Sequence, residues 1–193
     1  MSTSYSALPT PPVVDLDTWN IALEKQEERE KYLQEQLRIV TDARRRLPMT
    51  PVQGDYSFVG PAGEVSFAEL FDGHHQLITY HFMYSPDWNE GCPNCTQYAS
   101  CLGSGINEEL ARYSARFILV SRAPYEKLAA WAAGQGIATP WYSASTEFNQ
   151  EMGAMAEGFG DVPGFSVFYR DDRNNIYRTW RGSAFAIEAT MPS

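Results

Sequence analysis

The sequence lacks long apolar runs and has few basic residues and few cysteines. Its 193 residues include 15 Lys and Arg against 24 Asp and Glu, for a formal net charge of -9. Without about 18 consecutive apolar residues, no segment is predicted to span a membrane. An acidic surface repels phosphates, so we expect neither nucleic acid nor an anionic membrane as a partner. The N-terminus lacks the basic start and apolar core of a signal peptide, so we expect a cytoplasmic protein.

The scarcity of cysteine excludes a scaffold held together by disulfides. With only three cysteines in a chain of this length, a close pair in a reducing compartment is more often catalytic or metal-binding. Hydrophobic residues make up 44% of the chain and aromatic residues 13%. This composition predicts a compact domain with a substantial core rather than a disordered chain.

The composition changes twice along the chain. Residues 1–15 are rich in Ser, Thr and Pro and predict a disordered tail. Residues 16–47 are mostly good helix formers without internal Gly or Pro, and predict a helical extension with Asp17 or Thr18 as its N-cap. Residues 48–193 then form the predicted main domain.

Strand and helix patterns alternate in the main domain. The order of the elements predicts a mixed α/β sheet with helices on both faces. Residues 146–162, with three glycines, stay unassigned. The predicted elements are a hairpin at 56–67, strands at 76–84 and 115–122, helices at 92–102 and from 124, a short strand at 139–145 and a hairpin at 164–182.

Two of the three cysteines occur in the stretch "WNEGCPNCTQ", at Cys92 and Cys95. They follow a predicted buried strand and open the next predicted helix. Backbone N–H groups and the helix dipole at such a position stabilise a thiolate, and thiols placed there can have pKa values well below roughly 8.5. Pro93 suits the first helical turn.

The spacing suggests a division of roles between these cysteines. Residues three apart on a helix are neighbours at about 5–6 Å, within the span of a disulfide. Cys92, at the very start, would be the exposed nucleophile, and Cys95 would resolve a mixed disulfide. Asp87 and Glu90 would oppose a thiolate if they pointed inward.

Two other interpretations of the pair stay open at this point. A metal site needs further ligands, and Cys101, His74, His75 and His81 do not have zinc-finger spacing. The pair could also be a coincidence of helix neighbours. An iron–sulfur cluster lacks a fourth thiolate, and the motif that precedes a peroxidatic cysteine is missing. We therefore expect no metal and no organic cofactor.

Several other residues have a structural and a functional interpretation. Cys101 lies on the opposite face of the helix from Cys92, and we expect it to have no chemical role. His81 alternates with its strand neighbours and is predicted to be a hydrogen-bonded core residue. A substrate groove could be lined by Trp88, Pro93, Trp141, Tyr142 and Pro163. Pro163 stands before a late strand, where thioredoxin-like domains place a cis-proline. Gly164 follows it where those domains usually carry a larger residue, so an ordinary loop proline is an equal alternative.

Longer motifs carry a family resemblance from about residue 19 to residue 182. They include "YSFVGPAGEVSFAELFDG", "LITYHFMYSPDWNEGCPNC", "LVSRAPYEKLAAW" and "GFSVFYRD". The chain resembles the DUF899 family of predicted thioredoxin-like dithiol–disulfide oxidoreductases. The resemblance implies a thioredoxin-like α/β fold with an N-terminal hairpin and a helical N-terminal extension, and its Cys-x-x-Cys maps onto Cys92 and Cys95. Members usually continue beyond the final hairpin into a leucine-rich segment, whereas this sequence stops at "AIEATMPS".

Two functional hypotheses of different classes follow. The leading one is a thiol–disulfide oxidoreductase that acts on a disulfide-bearing protein or a small thiol substrate. The other is a non-catalytic binding or accessory protein of the same fold, with the dithiol idle or holding a soft metal. The N-terminal helix could mediate a homodimer or pack on its own domain.

Overall fold

A computed structural model describes residues 10–183 of the chain. Contacts divide the chain into two compact units, with the boundary between Arg46 and Leu47. The first unit contains α1 and the second contains all other elements. In chain order these are α1 (Leu16–Arg44), β1 (Thr50–Pro51), β2 (Ser57–Gly60), β3 (Gly63–Ser66), a 3₁₀ turn (Glu69–Phe71), β4 (Gln76–His81), α2 (Pro93–Cys101), α3 (Ile106–Ala111), β5 (Ala115–Ser121), α4 (Tyr125–Gln135), β6 (Trp141–Ala144), α5 (Thr146–Glu151), β7 (Met155–Ala156), β8 (Gly160–Asp161), β9 (Gly164–Arg170) and β10 (Ile176–Ser183).

The first unit is a single helix of 29 residues. Asp15 is its N-cap, because the Asp15 carboxylate accepts a hydrogen bond from the Thr18 backbone N–H at 2.8 Å. The predicted caps, Asp17 and Thr18, were wrong, since both lie inside the first turn. Arg38 pairs with Glu35 and Asp42, which stabilises the helix locally. The division into a tail at 1–15, an extension at 16–47 and a domain from 48 stays a prediction, and residues 1–9 lie outside the described residues.

The central sheet has eight strands in the order β1-β10-β9-β4-β5-β6-β2-β3. Strands β4, β5 and β6 are parallel, and β9 and β10 continue the sheet as an antiparallel hairpin beside β4. A strand–helix–strand unit that continues into such a hairpin, in the order β5-β4-β9-β10, is the thioredoxin-like arrangement. The predicted fold class is confirmed, including the N-terminal hairpin of β2 and β3.

The alternation of side chains along β4 divides the core between the two faces of the sheet. Tyr80 points to the face that carries α2, α3 and α4, in a cluster with Cys95, Leu119 and Phe165. The opposite face, which carries the 3₁₀ turn and α5, is packed by a cluster that contains Leu77, Phe71, Phe148 and Phe168. Helices therefore cover both faces, as predicted.

The last hairpin turns at Asp171–Asn175. The Asp171 carboxylate accepts hydrogen bonds from the backbone N–H groups of Arg173 and Asn175, and Asn174 has a positive φ of 64°. Asp and Asn tolerate such turns because their short side chains bond the local backbone. This polar turn sets the register of β9 against β10.

The unassigned segment 146–162 folds into α5 and the small hairpin of β7 and β8. Ser145 caps α5, because its hydroxyl accepts from the Phe148 backbone N–H. The weak apolar periodicity of this segment hides a short helix that buries Phe148 and Asn149. Among residues 10–183, no helix is long and apolar enough to cross a bilayer.

Candidate functional site: a dithiol at the start of a helix

The cysteine pair lies where the loop after β4 enters α2. Cys92 is the N-cap residue and is half-buried, and Pro93 occupies the first helical position. The Cys92 backbone N–H donates to the Met83 carbonyl at 3.0 Å, and the Cys92 carbonyl accepts from the Thr96 backbone N–H at 2.9 Å. These bonds fix the Cys92 backbone between the end of the strand and the first turn of the helix.

Cys95 lies one turn further on and is 1% exposed. The Tyr80 hydroxyl donates a hydrogen bond to the Cys95 sulfur at 3.3 Å. Burial raises the pKa of the Cys95 thiol to about 11, while hydrogen bonds from Tyr80 and from the Met83 backbone oppose the shift. The neighbouring Cys92 side chain adds to this rise. All three cysteines are free thiols in this structure.

A lysine and a tyrosine hold the loop that precedes Cys92. The Lys127 ammonium, from α4, donates to the backbone carbonyls of Pro86 and Trp88 and lies 5.0 Å from the centre of the Tyr84 ring. The Tyr84 hydroxyl donates to the Asn89 carbonyl at 3.1 Å. Asp87 and Glu90 are exposed on this loop. Hydrogen bonds from Lys127 and Tyr84 to backbone carbonyls therefore hold the loop, and its two carboxylates face solvent.

Gly91 brings this loop close to the aromatic core. A Cβ at Gly91 would lie 2.8 Å from the Phe82 ring and 2.9 Å from the Trp131 indole nitrogen. The Trp131 N–H donates to the Thr96 hydroxyl at 3.2 Å. Only glycine can pass between Phe82 and Trp131, so the residue before Cys92 is constrained by packing.

A partly buried ion pair lies at the same end of the sheet. The Arg122 Nε donates to Asp161 at 2.6 Å, and its Nη2 donates to the Ser85 hydroxyl at 3.1 Å. Arg122 follows β5, Asp161 ends β8, and Ser85 follows β4. The pair therefore joins the loop after β4 to the segment that leads into Pro163.

The predicted groove residues do not all come together. Trp88 is 38% exposed on the loop before Cys92, and Pro93 is exposed beside it. Trp141 and Tyr142 are buried on opposite faces of the sheet. Trp141 packs on Phe82 with ring centroids 4.5 Å apart, whereas the Tyr142 hydroxyl accepts from Arg116. The structure thus leaves Trp88 and Pro93 exposed on the chain segment that contains Cys92, and it buries Trp141 and Tyr142 in the core.

Pro163 is half-buried directly before β9, beside Gly164, which pairs with the end of β4. No peptide bond among residues 10–183 is cis, so of the two alternatives for Pro163 the structure shows the ordinary loop proline. Asp161, held by Arg122, and the hydrogen bond from the Val162 N–H to Ala154 fix the approach to this proline. Pro163 therefore occupies the predicted place in the chain with an ordinary trans peptide.

His81 lies in the core on the face of the sheet opposite the cysteines. Its Nε2 is 2.9 Å from the Ser166 hydroxyl, and its Nδ1 has no hydrogen-bond partner among the described residues. Burial lowers the pKa of His81 to about 4, and the charge of Arg178 adds to the shift, while the neighbouring Asn149 side chain opposes it without being aligned for a full hydrogen bond. His81 is therefore a neutral core residue at physiological pH.

The remaining candidate ligands are dispersed. Cys101 is exposed at the last position of α2. Within residues 10–183, no group of three or more His, Cys, Asp or Glu side chains could hold a metal ion.

The side chains at the site that were not predicted from the sequence include Tyr80, Lys127 and Trp131. Alternation along the predicted strand could have placed Tyr80 on the same face as Phe82. Nothing in the spacing shows that its hydroxyl meets Cys95, and Lys127 and Trp131 reach the site from a helix more than 30 residues away in sequence. Such contacts depend on how α4 packs against the sheet.

Several solved structures are similar to this chain. A yeast mitochondrial 1-Cys peroxiredoxin is 18% identical with a TM-score of 0.46, covering 74% of this chain and 73% of that one. A putative thiol–disulfide oxidoreductase from Bacteroides vulgatus is 16% identical with a TM-score of 0.47, covering 75% and 97%. A thioredoxin-like protein from Porphyromonas gingivalis is 14% identical with a TM-score of 0.48, covering 72% and 84%. The fold assignment here rests on the order and direction of the strands.

No curated protein matches the sequence. A family profile described as "Bacterial protein of unknown function (DUF899)" matches residues 8–193, which is nearly the whole chain. The resemblance seen in the sequence motifs is thereby confirmed. The chain belongs to the DUF899 family.

Proposed function

We propose that the protein is a thiol–disulfide oxidoreductase in which Cys92 attacks and Cys95 resolves. The observation that carries this proposal is the unequal exposure of two neighbouring thiols. Cys92 is half-buried at a helix N-cap, whereas Cys95 is buried one turn further along the same helix. An incoming disulfide therefore reaches Cys92 first.

The reaction transfers two electrons from the cysteine pair to the substrate. The Cys92 thiolate attacks one sulfur of the substrate disulfide, and the other sulfur leaves as a thiolate that takes up a proton. Cys95 then loses its proton and attacks the Cys92 sulfur, which breaks the bond to the substrate and releases the second thiol. The protein ends with a Cys92–Cys95 disulfide and is reduced again by a thiol donor.

The surroundings suit an extended disulfide substrate. Trp88, on the loop before Cys92, and Pro93, directly after it, present exposed apolar surface, and the loop that carries Trp88 is held in place by Lys127. The substrate class is a disulfide-bearing protein or a small disulfide. The cysteines need no metal or organic cofactor for this exchange.

The roles can be separated with an aromatic nitrobenzoate disulfide, because each thiol attack releases one coloured thiolate. Cys101 is exposed and would react, so every variant carries Cys101→Ser. With Cys92 and Cys95 intact, we expect two equivalents and an internal disulfide. With Cys95→Ser, we expect one equivalent and a stable mixed disulfide on Cys92. With Cys92→Ser, release should be at least about tenfold slower, because Cys95 is buried.

Mass spectrometry of the products gives the outcome directly. A mixed disulfide trapped on Cys92 only in the Cys95→Ser variant supports the assignment. Equal rates of release of the coloured thiolate from the Cys92→Ser and Cys95→Ser variants would refute the assignment.

A further inference from the structure

We infer that Tyr80 is a catalytic residue that donates a hydrogen bond to the Cys95 thiolate while the mixed disulfide is resolved. This inference rests on the proposed function and adds a residue outside the Cys-x-x-Cys motif. It concerns the second step only, so the attack by Cys92 on substrate serves as an internal reference.

The contact between Tyr80 and Cys95 is direct and enclosed. The Tyr80 oxygen lies 3.3 Å from the Cys95 sulfur, with Tyr80 only 3% exposed and Cys95 1% exposed. This is the one hydrogen bond of the Tyr80 hydroxyl among the described residues. A buried hydroxyl with a single partner is committed to that partner, because leaving it unpaired is costly.

Aromatic packing fixes the direction of the hydroxyl. The Tyr80 ring centroid lies 4.8 Å from that of Tyr98, 4.9 Å from that of Phe165 and 6.5 Å from that of Phe82, with the Phe82 ring nearly perpendicular. Tyr80 belongs to β4, Tyr98 to α2 and Phe165 to β9. The Tyr80 ring, which β4 carries, therefore packs against β9 and against α2, the helix that also carries Cys95.

Few titratable groups surround the Cys95 sulfur. Tyr80 faces it from β4, Cys92 from the start of α2, and Tyr98 lies beside them on α2. Phe165 of β9 and Leu119 of β5 contribute apolar surface to the same cluster. Two charged groups nearby have other partners. Lys127 of α4 donates to the Pro86 carbonyl, and Glu90, on the loop before Cys92, lies near Tyr84. Tyr80 is thus a neutral side-chain donor at the sulfur, in addition to the Met83 backbone.

Tyr80 acts as a donor and not as the base. Burial and the neighbouring thiols raise the pKa of Tyr80, so the phenol keeps its proton throughout. When Cys95 ionises, its proton leaves the site and finally resides on the released substrate thiol. The Tyr80 O–H bond stays intact, and its hydrogen bond strengthens because the acceptor sulfur has become an anion.

A specific pH dependence follows from this arrangement. In the mixed disulfide, Cys92 no longer raises the pKa of Cys95. Because Cys95 attacks as a thiolate, the rate of resolution should rise with pH and level off above the pKa of Cys95. Tyr80→Phe removes only the hydroxyl. It should move the midpoint of this profile upward by roughly one pH unit and leave the plateau equal or higher, since a less stabilised thiolate is at least as nucleophilic.

The test uses rapid mixing with the same nitrobenzoate disulfide, in the Cys101→Ser background. The first coloured equivalent reports attack by Cys92, and the second reports resolution by Cys95. Below the midpoint, Tyr80→Phe should slow the second release about tenfold and change the first by less than about twofold. Tyr98→Phe removes a neighbouring hydroxyl and should leave the midpoint unchanged.

The pH profiles of the second release distinguish the role of Tyr80 from the proposed function itself. An upward midpoint with an undiminished plateau in Tyr80→Phe alone supports the role of Tyr80. A lowered plateau at an unchanged midpoint shows a packing defect and overturns it, as does a profile identical to that of the parent. If the parent itself releases no second equivalent, the proposed function fails, and the inference fails with it.

Discussion

At the scale of single residues, His81 links burial to the stability of the fold. Burial lowers its pKa to about 4 from an ordinary value of 6.5. A base whose pKa is lower in the folded protein contributes stability at pH values above its pKa in the unfolded chain. This stability is lost as the pH falls through the pKa in the folded protein. The free energy of unfolding should therefore fall between pH 6.5 and about 4, and His81 should account for about 3 kcal/mol of this loss.

The matched variants are His81→Gln and His75→Gln. Glutamine cannot titrate, so His81→Gln should lose this contribution to the difference in unfolding free energy between neutral and acidic pH. His75 is exposed, and its replacement should preserve the difference. Urea denaturation at several pH values measures both. An equal acid sensitivity of His81→Gln and the parent would contradict the account.

The neighbours and the burial of single residues could be predicted from the sequence where spacing alone determines them. Two cysteines three residues apart at a helix start must be neighbours, and a histidine inside an alternating strand is expected in the core. The partner of a side chain is another matter. The hydrogen bond from Tyr80 to Cys95 depends on the packing of α2 against β4, and the burial of Trp141 depends on the position of β6 within the sheet.

At the scale of elements, the loop before α2 depends on a glycine that packing makes necessary. Gly91→Ala would place a methyl group against Phe82 and Trp131. We expect a loss of about 1–3 kcal/mol in unfolding free energy from overpacking. The displaced Cys92 should also release the first coloured equivalent more slowly.

Gly103→Ala is the matched control for this change. Gly103 lies just beyond α2, and a Cβ there would have no neighbour within 4 Å. The control should change stability by less than about 0.5 kcal/mol. Chemical denaturation of both variants decides the matter, and equal losses would show that the contact with Phe82 and Trp131 does not restrict position 91.

Element types were predicted best where apolar residues alternate or recur strongly. The strands β4 and β5 and the hairpin of β9 and β10 were found at the predicted places. Residues 146–162 could not be assigned, because α5 is only six residues long and is stabilised mainly by burying Phe148. Short helices of this kind are fixed by tertiary contacts more than by intrinsic propensity.

At the scale of the whole molecule, the order of strands places the dithiol and Pro163 at the same end of the sheet. The Cys92 loop follows the end of β4, and Pro163 precedes the start of β9, which is antiparallel to β4. The ion pair between Arg122 and Asp161 ties the two segments together. The place of Pro163 before a late strand was noted from the sequence, whereas neither the ion pair nor the trans peptide of Pro163 follows from residue spacing.

The central claim, that Cys92 and Cys95 form a reversible redox pair, can be measured across a series of glutathione redox potentials. The protein is equilibrated at each potential, alkylated and examined by mass spectrometry. We expect a two-electron transition to an internal Cys92–Cys95 disulfide, with Cys101 outside that bond. Cysteines 92 and 95 that stay reduced at every potential would contradict it.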